Sequence, residues 1–335
     1  MKINFQNLID NNIKEKNIKN FVAIIGETPS KGARSPVLWN RAFKNLSIKK
    51  KMIALDVKKK NFSKLLLNLK KIKYFYGGSV TTPYKNLILD YLDLIDKKAK
   101  KIGSVNTIVK VGEKLKGYNT DYYGCNYTLD IIKKKKKKIK NILFLGCGGA
   151  AKACILSTVE KFKKSKIYFF NRDFDKINFF LKKINKKKNF HILKNYKDLL
   201  KINNIDLVIN TTSVGFDSNV LRNDKYYNLV NYSPLSSTRK IIFFDKSSRE
   251  KNYKLFFFKD NILNTIKFFS NNLETFVFDI IYNPQKTILI KIAELFNLDC
   301  LNGEKMNLMQ AVYGFKLVNN YNDISKITKA MILLK

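Results

Sequence analysis

The 335-residue sequence predicts an α/β protein of two domains, each built on a mostly parallel sheet covered by helices, and three observations carry that prediction. Short apolar runs alternate with longer segments of helical period. A glycine-rich stretch, "LFLGCGGAAKA", joins a strand-like run to a helix-like one. Six consecutive lysines at 133–138, with no apolar position to bury, divide one such α/β stretch from a second and read as a solvated link.

The elements follow in order. "FVAIIG" (21–26) is an apolar run of strand length, and "PVLWNRAFKNL" (36–46) a helix opened by Pro36, whose missing N–H costs nothing in a first turn. "MIALDV" (52–57) is a strand, "FSKLLLNLKKI" (62–72) a helix, and a third strand runs into "GGSVTTPYK". A helix is expected over about 86–94, and "GSVNTIV" and "GYNTD" read as strand ends or loops. Beyond the lysines come "NILFLG" (141–146), the helix "AKACILSTVEKF", the strand "KIYFFNR" (166–172), the helix "DKINFFLKKI" and the strand "DLVINTTS" (206–213). Residues from about 220 to 270 show no readable unit and are expected to be an insertion. The pattern returns at "FVFDIIYNP" (276–284), and the last fifty residues read as helical.

Composition excludes several classes. An apolar content of 45% in a chain of this length supports buried cores and argues against overall disorder. The formal charge of +39 would suit a nucleic-acid or membrane-surface partner. The excess is nearly all Lys, however, is spread along the chain, and travels with abundant Asn, Ile, Phe and Tyr, as A- and T-biased codons produce. No nucleic-acid motif or aromatic platform accompanies it. We therefore expect a small-molecule substrate, no nucleic acid and no membrane, in a cytoplasmic monomer or homodimer. Four cysteines without CxxC spacing and a single His argue against a zinc site. The first twenty residues lack the apolar core of a signal peptide.

Gly146, Gly148 and Ala151 fall at the G-x-G-x-x-A spacing, with Cys147, Gly149 and Ala150 between them. The first glycine permits a tight turn, the second lets backbone approach a pyrophosphate, and the small third residue lets helix and strand pack closely. A helix N-terminus then presents free N–H groups to phosphate. At the end of the next strand a carboxylate would select NAD, whereas a cation accommodates the 2′-phosphate of NADP. Asn171, Arg172 and Lys176 make that end cationic and favour NADP. Asp173 opposes this unless it caps the following helix. The bland reading of Arg172 and Lys176 is two more surface cations.

Carbonyl reduction needs a group that exchanges a proton with the oxygen and a partner that holds it. Lys85 follows Pro83 at a strand end, Asn106 and Thr107 close "GSVNT", and Asp121 closes "GYNTD". Asp121 has no basic residue within three positions in a chain of 65 Lys and Arg, which suggests a partner distant in sequence, Lys85. The alternative is an Asx turn in which Asp121 merely caps a helix beginning at Tyr122.

In order and over nearly the whole length except about 220–270, these motifs resemble the shikimate dehydrogenase family. "SVNTIV", "GYNTDY" and "NTTSVG" look closest to its plant-type domain. The resemblance implies an NADP-dependent, reversible reduction of 3-dehydroshikimate to shikimate on the route to chorismate and the aromatic amino acids. It assigns proton exchange to Lys85 of "VTTPYK", orientation of that lysine and a substrate hydroxyl to Asp121, and substrate contacts to Ser35, Thr81, Asn106, Tyr282 and Gln310. The backbones of Ile280 and Gly303 are implied at the nicotinamide. Residues 1–125, completed by 302–335, would form the substrate-binding domain and 126–301 the NADP-binding Rossmann domain, with the cleft between them. Two departures stand out. Where the family carries S-x-S-P for the substrate carboxylate, this chain has "ARSP", so Ala33 offers no hydroxyl, and Ser79 replaces a frequent Asn. One hydrogen bond fewer to a carboxylate costs roughly 1.5 to 3 kcal/mol, which implies weaker shikimate binding or a preference for quinate or a related ring acid.

Overall fold

The computed structural model describes residues 5–14, 19–171, 173–184, 189–217, 219–222, 225–237 and 250–333. The chain divides into two compact units, Met1–Cys125 with Leu308–Lys335, and Asn126–Asn307. Both are α/β.

In the first unit, β1 (Phe21–Gly26) lies between β2 (Lys51–Asp56) and β3 (Phe75–Val80), parallel to both. Alternation along β1 buries both faces. Phe21, Ala23 and Ile25 join a core with Leu65, Leu66 and Leu69 of α2 (Lys59–Lys71). Val22 and Ile24 join another with Trp39 and Phe43 of α1 (Ser35–Asn45). The same core takes in Val312 and Phe315 of a C-terminal helix, α10 (Glu304–Asn319), and Ile327 and Met331 of the last, α11 (Ile324–Ile332).

The sheet is mostly parallel, as expected, but β3 is followed by β5 (Thr107–Val111) and β6 (Lys114–Tyr118), an antiparallel hairpin turning at Gly112 and Glu113, with Gly112 at φ 60°. One expectation fails. No helix spans 86–94. A single 3-10 turn, Leu87–Tyr91, gives way to a short strand, β4 (Leu94–Ile95), parallel to β6. The cause is Asp93, whose N–H donates to the Leu115 carbonyl (3.1 Å) while its carboxylate accepts the Leu115 N–H (2.7 Å). That ladder outbids local helix propensity. A short helix, α3 (Lys97–Ile102), follows, capped by Asp96.

The lysine run is only half a link. α4 (Asp121–Lys135) takes Lys133, Lys134 and Lys135 as its last turn, where cations favour the negative end of the helix dipole.

The second unit carries an all-parallel sheet. Its strands in spatial order are β14 (Cys300–Leu301), β13 (Phe276–Asp279), β10 (Leu207–Asn210), β7 (Asn141–Leu145), β8 (Lys166–Phe170) and β9 (Phe190–Leu193). Strand order reverses at β7, so the carboxyl ends of β7 and β10 form the topological switch point where open α/β sheets bind ligands. α5 (Gly149–Lys161) and α6 (Phe174–Ile184) follow β7 and β8. On one face Leu143, Leu145, Val208 and Val277 pack with Leu199 of α7 (Tyr196–Lys201) and with Leu289 of α9 (Ile288–Leu295).

Of the stretch 220–270, expected to be an insertion, residues 223–224 and 238–249 lie outside the described residues, and the rest contains regular structure. β11 (Asn219–Arg222) and β12 (Lys225–Asn228) form an antiparallel hairpin, and α8 (Glu250–Ser270) is a helix of 21 residues. Phe268 and Phe269 of α8 belong to the core just described, which makes the helix part of the unit's cover. Among the described residues no helix is long and apolar enough to cross a membrane, and no three His, Cys, Asp or Glu side chains gather as a metal site.

Candidate active site

In the first unit the carboxyl ends of β1 and β3 meet at one edge. Thr81, directly after β3, donates its N–H to the Ile25 carbonyl (2.9 Å), and the chain then turns to Lys85. The Lys85 carbonyl accepts the Val105 N–H (2.8 Å), which holds the lysine's backbone beside the "GSVNT" segment. Its Nζ reaches Oδ2 of Asp121 at 2.7 Å, with the lysine side chain 26% and the carboxylate 9% exposed. Asp121 is the first residue of α4, where the helix dipole also favours its charge. The Asx-turn reading of Asp121 does not hold: the residue is the first of the helix and not its cap, and its carboxylate accepts from Lys85 and Asn106.

Asn106 supplies the other contact, donating from Nδ2 to Asp121 Oδ1 (2.9 Å) and, over a longer 3.4 Å, to Gln310 Oε1. Its own oxygen accepts the Thr120 N–H (2.7 Å) and the hydroxyls of Thr120 and Thr107 (each 3.1 Å). With Oδ1 saturated by donors, the amide can present only its NH₂ to Asp121. The arrangement leaves one partly exposed ammonium above a buried, fully bonded support, which is what a positioned proton donor requires.

Ser35 opens α1 and is half-buried. The loop leading to it is pinned by Asp56, which accepts the Ser30 N–H (2.9 Å) and hydroxyl (2.5 Å). Sequence reasoning did not single out Asp56. Its one signal was an acid at a strand end in a lysine-rich chain.

In the second unit Gly146, at φ 95°, makes the turn after β7, and a Cβ there would stand 2.9 Å from Thr212 Cγ2. Cys147 is buried behind it. A Cβ on Gly148 or Gly149, by contrast, would meet nothing within 4 Å, so these faces are open cradle and not packing surface. Gly148 caps α5 without any side-chain hydrogen bond, and the first-turn amides of Gly149, Ala150 and Ala151 are left to an outside acceptor. This cradle fits a pyrophosphate.

Asp173 accepts the Lys176 N–H at 3.0 Å and so caps the start of α6, and Asn171 Nδ2 donates to the Asp173 carbonyl (2.7 Å). Arg172 lies outside the described residues. A further cation was missed by sequence reasoning: Lys152, half-buried on α5, with Nζ 5.6 Å from the Phe180 ring centre. Burial, and then the charges of Lys176 and Lys183, hold its ammonium below the ordinary lysine range, although Cys147 acts in the other direction. A cluster of mutually repelling cations beside a phosphate-type loop suits an anionic group.

Ile280 and Gly303 lie together, since any Cβ on Gly303 would collide with the Ile280 carbonyl, and the Gly303 N–H donates to Ile281 O (2.9 Å). Tyr282 is half-buried, its ring edge-on to Phe216 with centroids 6.3 Å apart.

Residues 24–108 match the family model described as the shikimate dehydrogenase substrate binding domain. A shikimate dehydrogenase (NADP(+)) of Clostridium beijerinckii is 32% identical over 93% of this chain and 96% of its own length. The chain belongs to the shikimate dehydrogenase family. Among solved structures, a shikimate dehydrogenase in complex with NADP+ is similar with a TM-score of 0.70 and 28% identity, covering 96% of each chain. A quinate dehydrogenase of Corynebacterium glutamicum in complex with NAD shares the fold at a TM-score of 0.71 and 19% identity, over 94% of this chain and 99% of its own. The fold is thus shared by proteins solved with NADP+ and with NAD.

Proposed function

We propose that this protein is an NADP-dependent oxidoreductase that interconverts 3-dehydroshikimate and shikimate, with the substrate on the first unit and the cofactor on the second. The observation that carries the reading is the Lys85–Asp121–Asn106 network, a partly exposed ammonium on a buried hydrogen-bonded support. Bound NADPH supplies the hydride. Lys85 Nζ donates the proton to the ketone oxygen and takes it back in the reverse direction. Asp121, accepting from Lys85 and Asn106 at once, keeps the ammonium aimed and balances its charge. Asn106 and Gln310 contact substrate hydroxyls from the same edge, with Thr81, Ser35 and Tyr282 as further substrate contacts.

NADP is favoured over NAD by Lys176 and by the neighbouring Lys152 and Lys183, with Arg172 added from the sequence. The capping role of Asp173 removes the one acid that argued against a 2′-phosphate. The cradle of Gly146, Cys147, Gly148, Gly149, Ala150 and Ala151 takes the pyrophosphate, and the backbones of Ile280 and Gly303 take the nicotinamide.

A second reading, quinate or another hydroxylated ring acid as substrate, rests on Ala33, which removes one hydroxyl from the loop that Asp56 pins. One experiment tests both: steady-state oxidation of shikimate and of quinate, each with NADP and with NAD. Turnover confined to shikimate with NADP is expected. Lys85→Ala should lower kcat by about 10² or more with a much smaller change in KM, and near-normal turnover in that variant would remove Lys85 from the chemistry.

A further inference from the structure

The second unit buries a carboxyl, that of Asp279, the last residue of β13. Its carboxylate is 0% exposed. Three donors converge on it: the Ile281 N–H (3.0 Å) and Asn210 Nδ2 (2.9 Å) on Oδ1, and the Thr287 hydroxyl (2.7 Å) on Oδ2. No ion pair to it occurs among the described residues. Burial pushes the carboxyl up to about 7, against the pull of the three hydrogen bonds.

Such a group is expensive to bury, and an apolar residue of similar size would fill the space at lower cost. What the carboxylate does instead is join three segments. Asn210 ends β10 at the switch point, and its oxygen accepts the Thr212 N–H (3.0 Å) and hydroxyl (2.8 Å). Thr287 caps α9, and Ile281 belongs to the loop between β13 and α9. The peptide between Ile280 and Ile281 is thereby held from several sides. Its N–H donates to Asp279, the Ile280 N–H donates to the Asn210 carbonyl (3.0 Å), and the Ile280 carbonyl lies against Gly303.

We propose that Asp279 is the positioning residue of the nicotinamide-facing loop, fixing the direction of the Ile280 carbonyl through its simultaneous bonds to Asn210, Ile281 and Thr287. The inference rests on the assignment of Ile280 and Gly303 to the nicotinamide. Asp279 itself is not a catalytic residue, because it acts through the peptide it holds.

The test uses two probes on the full chain, NADP+ and adenosine 2′,5′-bisphosphate, the second carrying the phosphates and adenosine without the nicotinamide. Asp279→Ala should weaken NADP+ binding by about tenfold or more, the scale of losing hydrogen bonds to a charged group, and leave the bisphosphate within about twofold. Asp279→Asn can keep Oδ1 toward Ile281 and Asn210 and turn its NH₂ to Thr287, so it should restore most of the affinity. Thr287→Val, which removes one donor and leaves the carboxylate, covers the case in which the alanine variant does not fold; it should show a smaller loss, again selective for NADP+. Equal weakening of both probes, or unchanged NADP+ binding, would overturn the positioning role while leaving the functional reading intact. Wild-type protein that binds neither probe would overturn the functional reading and this inference with it.

Discussion

At the scale of single residues, the candidate site depends on which atoms of Asn106 and Asp121 face each other. Three donors saturate Asn106 Oδ1, so its NH₂ must meet Asp121 Oδ1, which leaves Oδ2 to Lys85. Replacing Asp121 by Asn breaks this chain at its centre, since one side-chain atom must then set an NH₂ against either the Lys85 ammonium or the Asn106 NH₂. Asp121→Asn is expected to lower kcat by about 10² or more, within the usual range for a disabled acid or base, and also to lower the melting temperature, because the opposed donors are buried. Steady-state kinetics beside a thermal melt check this, and a destabilised variant with near-normal kcat would reduce Asp121 to a structural residue. At Ala33 the sign is reversed. Ala33→Ser offers the missing hydroxyl and should lower KM for shikimate by up to about tenfold, and a KM that stays put would mean that the serine pair is not what this loop lacks.

At the scale of elements, two glycines of the second unit separate packing from binding. Gly303 has the Ile280 carbonyl where a Cβ would go, whereas Gly148 has open space. Gly303→Ala should therefore lower both melting temperature and NADP+ affinity. Gly148→Ala should leave the melting temperature unchanged within about 1 °C and weaken NADP+ by tenfold or more, because the methyl group would fill the pyrophosphate cradle. A stable Gly148→Ala protein with wild-type affinity would relocate the phosphates.

The same scale shows what the sequence can and cannot reveal. β1, β2, β7 and β10 were legible as short apolar runs, because strands buried on both faces carry little else. The glycine loop and the isolated Asp121 were legible as well, since each breaks a strong local bias. The β5–β6 hairpin was not, because its polar ends "GSVNT" and "GYNTD" drew the reading toward loops and its Gly112–Glu113 turn is short. The helix expected over 86–94 lost to Asp93, whose partner Leu115 is distant in the chain. The insertion hid α8 because its phenylalanines and lysines do not form a clean stripe, and Asp56 and Asp279 hid because only tertiary contacts distinguish them from ordinary acids.

At the scale of the whole molecule, folding stability should carry the signature of Asp279. Its carboxyl titrates at an ordinary 3.8 when unfolded and at about 7 in the fold, raised by burial. Between those values the folded chain holds a proton that the unfolded chain has released, so the unfolded state binds fewer protons and stability falls as pH rises through the window. Below it both states are protonated, above it both are ionised, and the contribution is flat. Asp93 works in the opposite sense. Burial pushes its carboxyl up, but its bonds to Lys70 and to the Leu115 amide outweigh that and hold it below 3.8, so its stabilisation is lost only in stronger acid. The two effects occupy different pH ranges, and subtracting one variant isolates the first. Urea denaturation followed by circular dichroism, on wild type and Asp279→Asn from pH 4.5 to 8, should give curves that diverge as pH rises. The asparagine variant, which has no buried charge to form, should gain steadily on wild type up to about pH 7 and hold a constant lead beyond it. Parallel curves across the range would mean that the three donors already hold Asp279 ionised at ordinary carboxylate pH, and that burying its charge costs the fold little.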